Sequence, residues 1–474
     1  MWKSLVQVCK RWRETIYASR HYLDLYLYLS NVYNVEETLD SWPEFPLIVQ
    51  FCVPYQHKDD ADNLRDALAQ RDRIRSIDIL TTSRRGNWFA ELMEEGFPQL
   101  THLDLRADSN NPVTVPYISL DRFLGESAPS LQHLCIDNFC HGGLQSLLSS
   151  TPNLVSLQIK NICPTGYMSP SEMVGSLAKL TKLRDLCVAF PSSITTDWDE
   201  FPDTKKFPSP HSPTHAVLPA LTELQFEGES EYFENLINLI DAPLLKNLYV
   251  RYLMPDKDED NEIKAGHLSQ FISRTETFKH TQFRRVKVML GWHYTYVILD
   301  LPRGECQLEQ LEVCFYIRRL DRENLFSTLA NVVSNVINWL GQIVIMLSDV
   351  QHLVMESMAV CDAKPDHVLG CVLLLCLFSS VEVLYVSREL VKHITSALED
   401  APEEMAARVL PALQLLGLEN NQDKNERGRP VGRFLSLRKQ FGCPVVMVNS
   451  RNEFIERLKP NQLELCEDWW TYRF

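Results

Sequence analysis

The chain has 474 residues and a formal net charge of -15, from 62 acidic and 47 basic side chains. Hydrophobic residues make up 45% of it and aromatic residues 10%, values near the globular average that exclude collagen-like, disordered and disulfide-scaffold classes. The acidic balance argues against a nucleic-acid partner, because binding to phosphate backbones requires an excess of basic residues.

Cysteine usage and the N-terminal residues indicate a reducing compartment. The 13 cysteines are an odd number and form no CxxC pair, which favours free thiols. Lys3, Lys10, Arg11 and Arg13 interrupt the apolar residues of the N-terminus, so no signal peptide is predicted. No stretch is apolar and long enough to predict a membrane span. We expect a cytoplasmic or nuclear protein without a membrane partner.

The first predicted elements are a helix and a strand. Apolar residues at intervals of three and four predict an amphipathic helix; they are Trp2, Leu5, Cys9, Trp12 and Ile16. Leu23, Leu25, Leu27 and Leu29 then alternate with other residues, which is the period of a strand. We expect a repeat array to begin at this strand.

One pattern, LxxLxL, recurs along the rest of the chain. Eight copies fit it well, often after a proline, and four are degenerate; the first apolar positions are residues 74, 100, 131, 154, 183, 221, 245, 283, 308, 350, 381 and 413. The mean spacing is about 31 residues, which is typical of an irregular leucine-rich repeat.

The repeats predict an α/β fold, namely a leucine-rich-repeat solenoid with a curved parallel sheet and outer helices. The last two apolar residues of a unit lie two positions apart and point to one side of a short strand. Helical spacing between strands is clearest over residues 329–347. No unit buries its apolar face alone, so the core is continuous between neighbours. An ordinary α/β domain with buried parallel strands stays open as the alternative.

The N-terminal run WKSLVQVCKRWRETIYASRHYLDL resembles the second half of an F-box, whose signature includes a Val-Cys-basic-basic-Trp core, here Val8 to Trp12. The segments LDSWPEFPLIV, FPQLTHLDL, FISRT and VLPALQLLGLE resemble mushroom-type fungal F-box proteins with degenerate leucine-rich repeats. The resemblance covers nearly the whole chain.

This resemblance implies a substrate receptor. In that family the F-box docks on the Skp-type adaptor of a cullin-RING ubiquitin ligase, and the repeats select the protein to be ubiquitinated. The residues implied to form the F-box core or to bind the adaptor are Trp2, Leu5, Val8 and Trp12. The usual Leu-Pro-x-Glu opening of an F-box does not precede them in the printed sequence, so we expect weak adaptor binding by this chain.

No catalytic, cofactor or metal site is predicted. The acidic run from Asp256 has Asn261 where a calcium loop needs glycine and His267 where it needs glutamate. His211 and His215 are separated by a proline, which prevents the helix that would bring both rings to one metal. Phosphate-loop, HExxH and GxSxG motifs are absent from the sequence.

Recognition is the chemistry that the repeats favour. Residues flanking the second and third apolar positions are predicted to face the open concave side of the sheet. The candidates for partner binding are Arg106, Lys160, Tyr249, Arg251 and Lys287. Basic candidates lie toward the middle repeats, which suits an acidic or phosphorylated segment; the alternative is that these residues merely solvate an exposed sheet.

The domain boundaries predicted from these patterns are 1–20 for the second half of an F-box-like module, 21–440 for about twelve repeats and 441–474 for a C-terminal cap. The predicted function is that of a non-catalytic substrate-recognition subunit of an SCF-type ubiquitin ligase, which would bind an as yet unknown target protein. A free-standing leucine-rich-repeat scaffold without a ligase is the alternative.

Overall fold

The protein was analysed as a computed structural model. It describes residues 9–18, 24–29, 35–40, 42, 44–52, 59–81, 91–107, 117–120, 122–126, 128–163, 166–191, 215–254, 266–279, 283–290, 294–300, 310–317, 340, 347–357, 373–387, 390, 409–418, 435–436, 438–440, 442 and 444–448. The chain forms two compact units: the first contains Met1–Gln225 with Leu239–Ala242, and the second contains Phe226–Asn238 with Pro243–Phe474.

The first unit contains five α-helices whose bounds are described, a 3-10 helix at Phe123–Glu126, and most of the shorter strands. In chain order its elements are α1 (Lys10–Ala18), β1 (Leu25–Leu29), α2 (Val35–Asp40), β2 (Leu47–Cys52), α3 (Asp59–Leu68), β3 (Ile74–Thr81), β4 (His102–Ala107), β5 (Tyr117–Ser119), β6 (His133–Asp137), β7 (Cys140–Gly142), α4 (Leu144–Ser150), β8 (Ser156–Lys160), α5 (Pro170–Leu177), β9 (Asp185–Ala189), β10 (Ala216–Val217), the start of β11 (Glu223–Gly228) and β12 (Ile240–Asp241).

The main sheet of the first unit is parallel, and its buried side chains are in register. The strands follow the order β1-β2-β3-β4-β6-β8-β9. One row across these strands consists of Leu27, Val49, Ile77, Leu103, Leu134, Leu157 and Leu186. None of these side chains is more than 4% exposed. Each repeat therefore adds one apolar residue to a continuous core, as the LxxLxL pattern predicts. Two short parallel pairs, β5 with β7 and β10 with β12, lie outside this sheet.

A recurring turn explains why proline so often leads a repeat. The amide of the first apolar residue donates to the carbonyl three residues earlier, as in Leu131 to Ala128 at 3.1 Å and Leu154 to Thr151 at 3.2 Å. Pro129 therefore takes the second position of its turn, where its fixed φ is favourable and no amide donor is needed. The first apolar residue is buried at all eleven repeats where the structure describes it.

The second unit contains three helices whose bounds are described, further short helical stretches such as residues 373–376, and eight described strands. Its elements are α6 (Ser230–Asn238), β13 (Asn247–Met254), α7 (Gly266–Arg274), α8 (Glu276–Lys279), β14 (Arg285–Leu290), β15 (Tyr294–Asp300), β16 (Gln310–Ile317), β17 (His352–Ser357), β18 (Val383–Val386), β19 (Leu415–Leu418) and β20 (Val446–Val448).

The strand order of the second unit departs from the predicted succession of parallel repeats. Its order is β13-β16-β15-β14-β17-β18-β19-β20. The strands β14, β15 and β16 form an antiparallel meander, so β16 rather than β14 lies beside β13. The other pairings in this series are parallel. The expectation that successive repeats are always neighbours is wrong here, because β15 supplies an additional strand that reverses the chain.

Strands occur at all twelve predicted repeats, including the four degenerate ones. Strand β1 lies where the alternating leucines predict it. Strands β2 and β15 are additional strands that the repeat pattern does not include. The helix predicted over 329–347 falls mostly outside the described residues. No helix in the described ranges is long and apolar enough to cross a membrane. The division of the chain at residues 20 and 440 stays a prediction.

Candidate protein-interaction face

The strands of the first unit present polar side chains on the side opposite the leucine core, here called the open face. Because the strands are in register, these residues form rows. One row contains Tyr26, Ile48, Ser76, His102, His133, Ser156 and Asp185; the next contains Tyr28, Gln50, Asp78, Asp104, Cys135, Gln158 and Cys187. In a third row Asp137 lies between the candidates Arg106 and Lys160. The face therefore offers a regular array of donors and acceptors for a partner.

Two histidines occupy the middle of this face. The rings of His102 and His133 stack with centroids 4.2 Å apart and an angle of 13° between their planes. Burial, followed by the neighbouring His133 and by Arg75, lowers the pKa of His102, while Asp24 acts in the opposite direction. The two stacked rings therefore present a flat aromatic surface on the open face.

A cavity of about 270 Å³ on the open face is lined by these histidines and by Asp78 and Asp104. Burial, followed by the nearby Asp104 carboxylate, raises the pKa of Asp78. Asp104 is bound by Arg106, whose Nε donates to Asp104 Oδ1 at 2.8 Å. This hydrogen bond is the main reason that the pKa of Arg106 is raised. The candidate Arg106 is therefore already neutralised by a carboxylate of its own strand.

Lys160 differs from Arg106 in its surroundings. Its row neighbour Asp137 accepts a hydrogen bond from Asn161 Nδ2 at 2.7 Å, and within the described residues the Lys160 ammonium makes no ion pair. The side chain is half-buried. The Lys160 ammonium can therefore donate to a carboxylate or phosphate of a partner without breaking an ion pair with any described residue.

In the second unit, Arg251 lies in a polar cluster with Glu227, Tyr296 and Cys314, here called the Arg251 cluster. The Arg251 Nη1 lies 3.2 Å from Glu227 Oε2, and the β-sheet register places Cys314 opposite both Arg251 and Tyr296. Burial opposes the charge of Arg251, but Glu227, Cys314 and Tyr296 together raise its pKa. Burial also raises the pKa of the Cys314 thiol to about 12, so this cysteine is not an activated nucleophile.

The remaining candidates of the second unit also have neighbours. Lys287 Nζ lies 2.9 Å from Glu356 Oε2, and only 13% of the Lys287 side chain is exposed. Tyr249 lies opposite Glu312 in the sheet and is half-buried. Tyr385, at the equivalent position of β18, is only 4% exposed, and the other residues of β18 are buried as well. The cationic candidates of this unit are therefore balanced by carboxylates.

The F-box-like segment is described only in part. Helix α1 spans Lys10–Ala18, and Trp12 is 53% exposed on it; the F-box-like nature of this segment stays a prediction. Trp2, Leu5 and Val8 lie outside the described residues. In the described portion, the side chains from Cys9 to Thr15 are all exposed, so they are available to a partner.

Within the described ranges, no group of three or more His, Cys, Asp or Glu side chains is placed to hold a metal ion. His215 instead lies with Nδ1 3.3 Å from Asp241 Oδ2. His211 and the acidic run from Asp256 to Glu262 fall outside the described residues.

The stacked histidine pair was missed by sequence reasoning. A signal for it is present, because His102 and His133 both directly precede the second leucine in consecutive repeats, THLDL and QHLCI. Equal positions in neighbouring parallel repeats lie side by side. The pair of Arg251 with Glu227 follows from the same logic, because the two residues hold equal positions in the consecutive repeats that begin at Leu221 and Leu245.

Similarity to known proteins was found among solved structures. No family model matches the chain, and no curated protein matches it. Among solved structures, the chain is similar to the leucine-rich repeat-containing protein LegL7 from Legionella pneumophila, with 13% sequence identity and a TM-score of 0.25 over 90% of this chain and 99% of that one.

Proposed function

We propose that the chain is a non-catalytic recognition protein that holds a partner protein on the open faces of its leucine-rich repeats. The supporting observation is the combination of a buried leucine register with a mostly half-buried or exposed polar register on the same strands. Such a sheet is rigid, because each inner strand is hydrogen-bonded to two neighbours, and its open-face rows combine charges, amides and imidazoles. Rigid surfaces of this kind lose little conformational entropy when a partner binds.

The finer proposal is that this recognition serves an SCF-type ubiquitin ligase. It rests on the resemblance of the N-terminal run to an F-box and on the exposure of Trp12 in α1. The chain would perform no bond chemistry, and its contribution would be to place a target lysine near the catalytic subunits of the ligase. A reducing cytoplasmic or nuclear compartment, which the free cysteines favour, suits this role.

Adaptor binding is the direct test of the ligase proposal. We expect residues 1–474 to bind a purified Skp-type adaptor at least about tenfold more tightly when a complete F-box opening segment is grafted before residue 1. In the grafted protein Trp12→Ala should reverse the gain, whereas the matched control Val217→Ala, at an exposed site of β10, should not. If the grafted protein does not bind, the ligase proposal fails and the free-standing scaffold is favoured.

Target recognition needs a separate test. A fusion of the chain to a proximity-labelling enzyme should label its target proteins. The same fusion with Lys160→Glu, which reverses a charge on the open face, should no longer label them. The same proteins should accumulate in cells that lack the chain if recognition leads to degradation. If Lys160→Glu abolishes labelling but the labelled proteins do not accumulate in cells that lack the chain, a scaffold is favoured. If open-face substitutions leave labelling unchanged, recognition by this face is contradicted.

A further inference from the structure

Strand β1 has one edge that is not covered by another strand in the described part of the chain. It pairs with β2 in parallel from Leu25 opposite Leu47 to Leu29 opposite Phe51, and it lies at the end of the strand order. The outer edge of such a strand carries backbone amides and carbonyls that can pair with another chain.

Nothing in the sequence of β1 blocks this edge. Proteins usually protect an edge with lysine, proline or a β-bulge, but β1 reads Leu-Tyr-Leu-Tyr-Leu and pairs with β2 without a shift in register. The charge that precedes the strand, Asp24, lies 3.4 Å from Arg75 of the same unit. The strand is therefore uncharged and regular along its whole length.

The two faces of β1 differ sharply. Leu25, Leu27 and Leu29 are 3%, 4% and 6% exposed, whereas Tyr26 and Tyr28 are 52% and 64% exposed on the open face. The two tyrosine rings lie 6.3 Å apart with an angle of 17° between their planes. A partner strand at this edge must therefore continue a leucine core on one side and meet a tyrosine pair on the other.

The sequence of β1 is the same in both directions, and this symmetry identifies the partner. When a second copy is placed antiparallel about Leu27, Leu25 faces Leu29 and Tyr26 faces Tyr28 of the other strand. Every leucine then meets a leucine and every tyrosine meets a tyrosine. Aromatic cross-strand pairs stabilise a sheet, and a two-fold axis at Leu27 closes the assembly at two chains.

We infer that a second copy of this chain binds at the outer edge of β1 and forms a two-fold symmetric, antiparallel strand pair centred on Leu27. This self-association is independent of the proposed target recognition. The contact contributed by a five-residue strand is smaller than a standard protein interface, so the dimer exchanges with monomer.

Sedimentation velocity of the full chain tests the inference, with samples from about 1 μM to about 1 mM, because weak interfaces fall in this affinity range. The expected result is a reversible monomer–dimer equilibrium. The double substitution Tyr26→Lys with Tyr28→Lys should weaken dimerisation at least about tenfold, since like charges then lie opposite each other. Val217→Lys, at a site on β10 that is 55% exposed, is the matched control and should leave the equilibrium unchanged.

A second double substitution tests the register itself. Tyr26→Lys with Tyr28→Glu places opposite charges across the axis at Leu27 and should restore dimerisation. A register shifted by two residues, or a parallel pair in register, would instead set like charges against each other. Failure of this variant to dimerise, while the wild-type chain does, would overturn the proposed register.

The wild-type chain gives a control that does not depend on any variant. Amide hydrogen exchange of residues 25–29 should slow as concentration rises, because a second strand protects the outer amides. A chain that stays monomeric throughout, or a dimer that forms without added protection of β1, would overturn the inference. Circular dichroism and thermal unfolding of the variants should match the wild type, since both tyrosines are exposed.

Discussion

Glu234 of α6 caps helix α7 through the backbone amide of His267. Its Oε2 accepts from the His267 amide at 2.6 Å, and its Oε1 accepts from the Leu268 amide at 3.2 Å. The Glu234 side chain is buried, and burial raises its pKa to about 7, although the two hydrogen bonds act in the opposite direction. A carboxylate that stabilises a helix end is thus also a buried acid that titrates near neutrality.

This arrangement predicts a loss of stability as pH rises. Between pH 4.5, the ordinary pKa of Glu234, and about pH 7, its pKa in the folded state, Glu234 is protonated to a greater extent in the folded state than in the unfolded state. The free energy of unfolding should therefore fall across this window. Glu234→Gln keeps an acceptor for the two amides and should remove a pH-dependent change on the order of 1–3 kcal/mol. Urea unfolding at pH 4.5, 6 and 8 measures the free energy of unfolding of both proteins. If this free energy depends on pH as steeply in the variant as in the wild type, Glu234 is not the titrating group.

His141 should produce the opposite trend. It is 1% exposed in the first unit, neither ring nitrogen has a hydrogen-bond partner among the described residues, and burial lowers its pKa to about 4. Below its ordinary value of 6.5 the unfolded state takes up the proton first, so stability falls as pH decreases toward 4. His141→Phe should flatten this part of the profile.

The matched control for this prediction is His352 in the second unit, whose pKa is also lowered to about 4 by burial and by Arg285 and Arg284. His141→Phe should therefore remove only part of the acid sensitivity. Denaturation monitored by hydrogen exchange distinguishes the two sites. In the variant, amides around β17 should still exchange faster at acid pH, because His352 is unchanged. Full acid sensitivity around β7 in the variant would contradict the role of His141.

The leucine register predicts that a single core position controls several repeats. Leu157 is fully buried and lies opposite Leu134 on one side and Leu186 on the other. Leu157→Ala should lower the free energy of unfolding by about 2–5 kcal/mol, and Leu157→Asp should unfold the neighbouring repeats because it buries a charge. The adjacent open-face change Gln158→Asp should be tolerated. Urea titrations followed by circular dichroism provide the comparison, and equal losses for both aspartates would refute the register.

The Arg251 cluster allows binding to be separated from stability. Arg251→Glu should weaken capture of proximity-labelled partners by more than about tenfold if Arg251 contacts them, and it should also lower the melting temperature, because it places a second carboxylate beside the half-buried Glu227. Arg251→Glu combined with Glu227→Arg restores an ion pair in the reverse orientation. Recovered capture in this double variant would indicate that the pair acts structurally and that Arg251 does not contact the partner.

The fold was predictable where short-range periodicity determines it. Leu103, Leu134 and Leu157 could be assigned to one buried row, because each is the second apolar residue of its repeat. The meander was not predictable, since the residues of β16 follow the same pattern as any other repeat and do not encode which strand lies beside them. Cationic candidates such as Lys287 were found without their partners, because Glu356 is far away in sequence and adjacent only after the strands are ordered.

The meander also sets the order in which the chain can complete its structure as it leaves the ribosome. In the first unit, β4, β6, β8 and β9 each find their preceding neighbour already synthesised. Strand β13, in contrast, ends at Met254, while the strand beside it, β16, begins only at Gln310. One edge of β13 must therefore wait through the synthesis of α7, α8, β14 and β15. During this delay the open edge of β13 is exposed on the nascent chain, and translation that pauses before Gln310 would prolong that exposure.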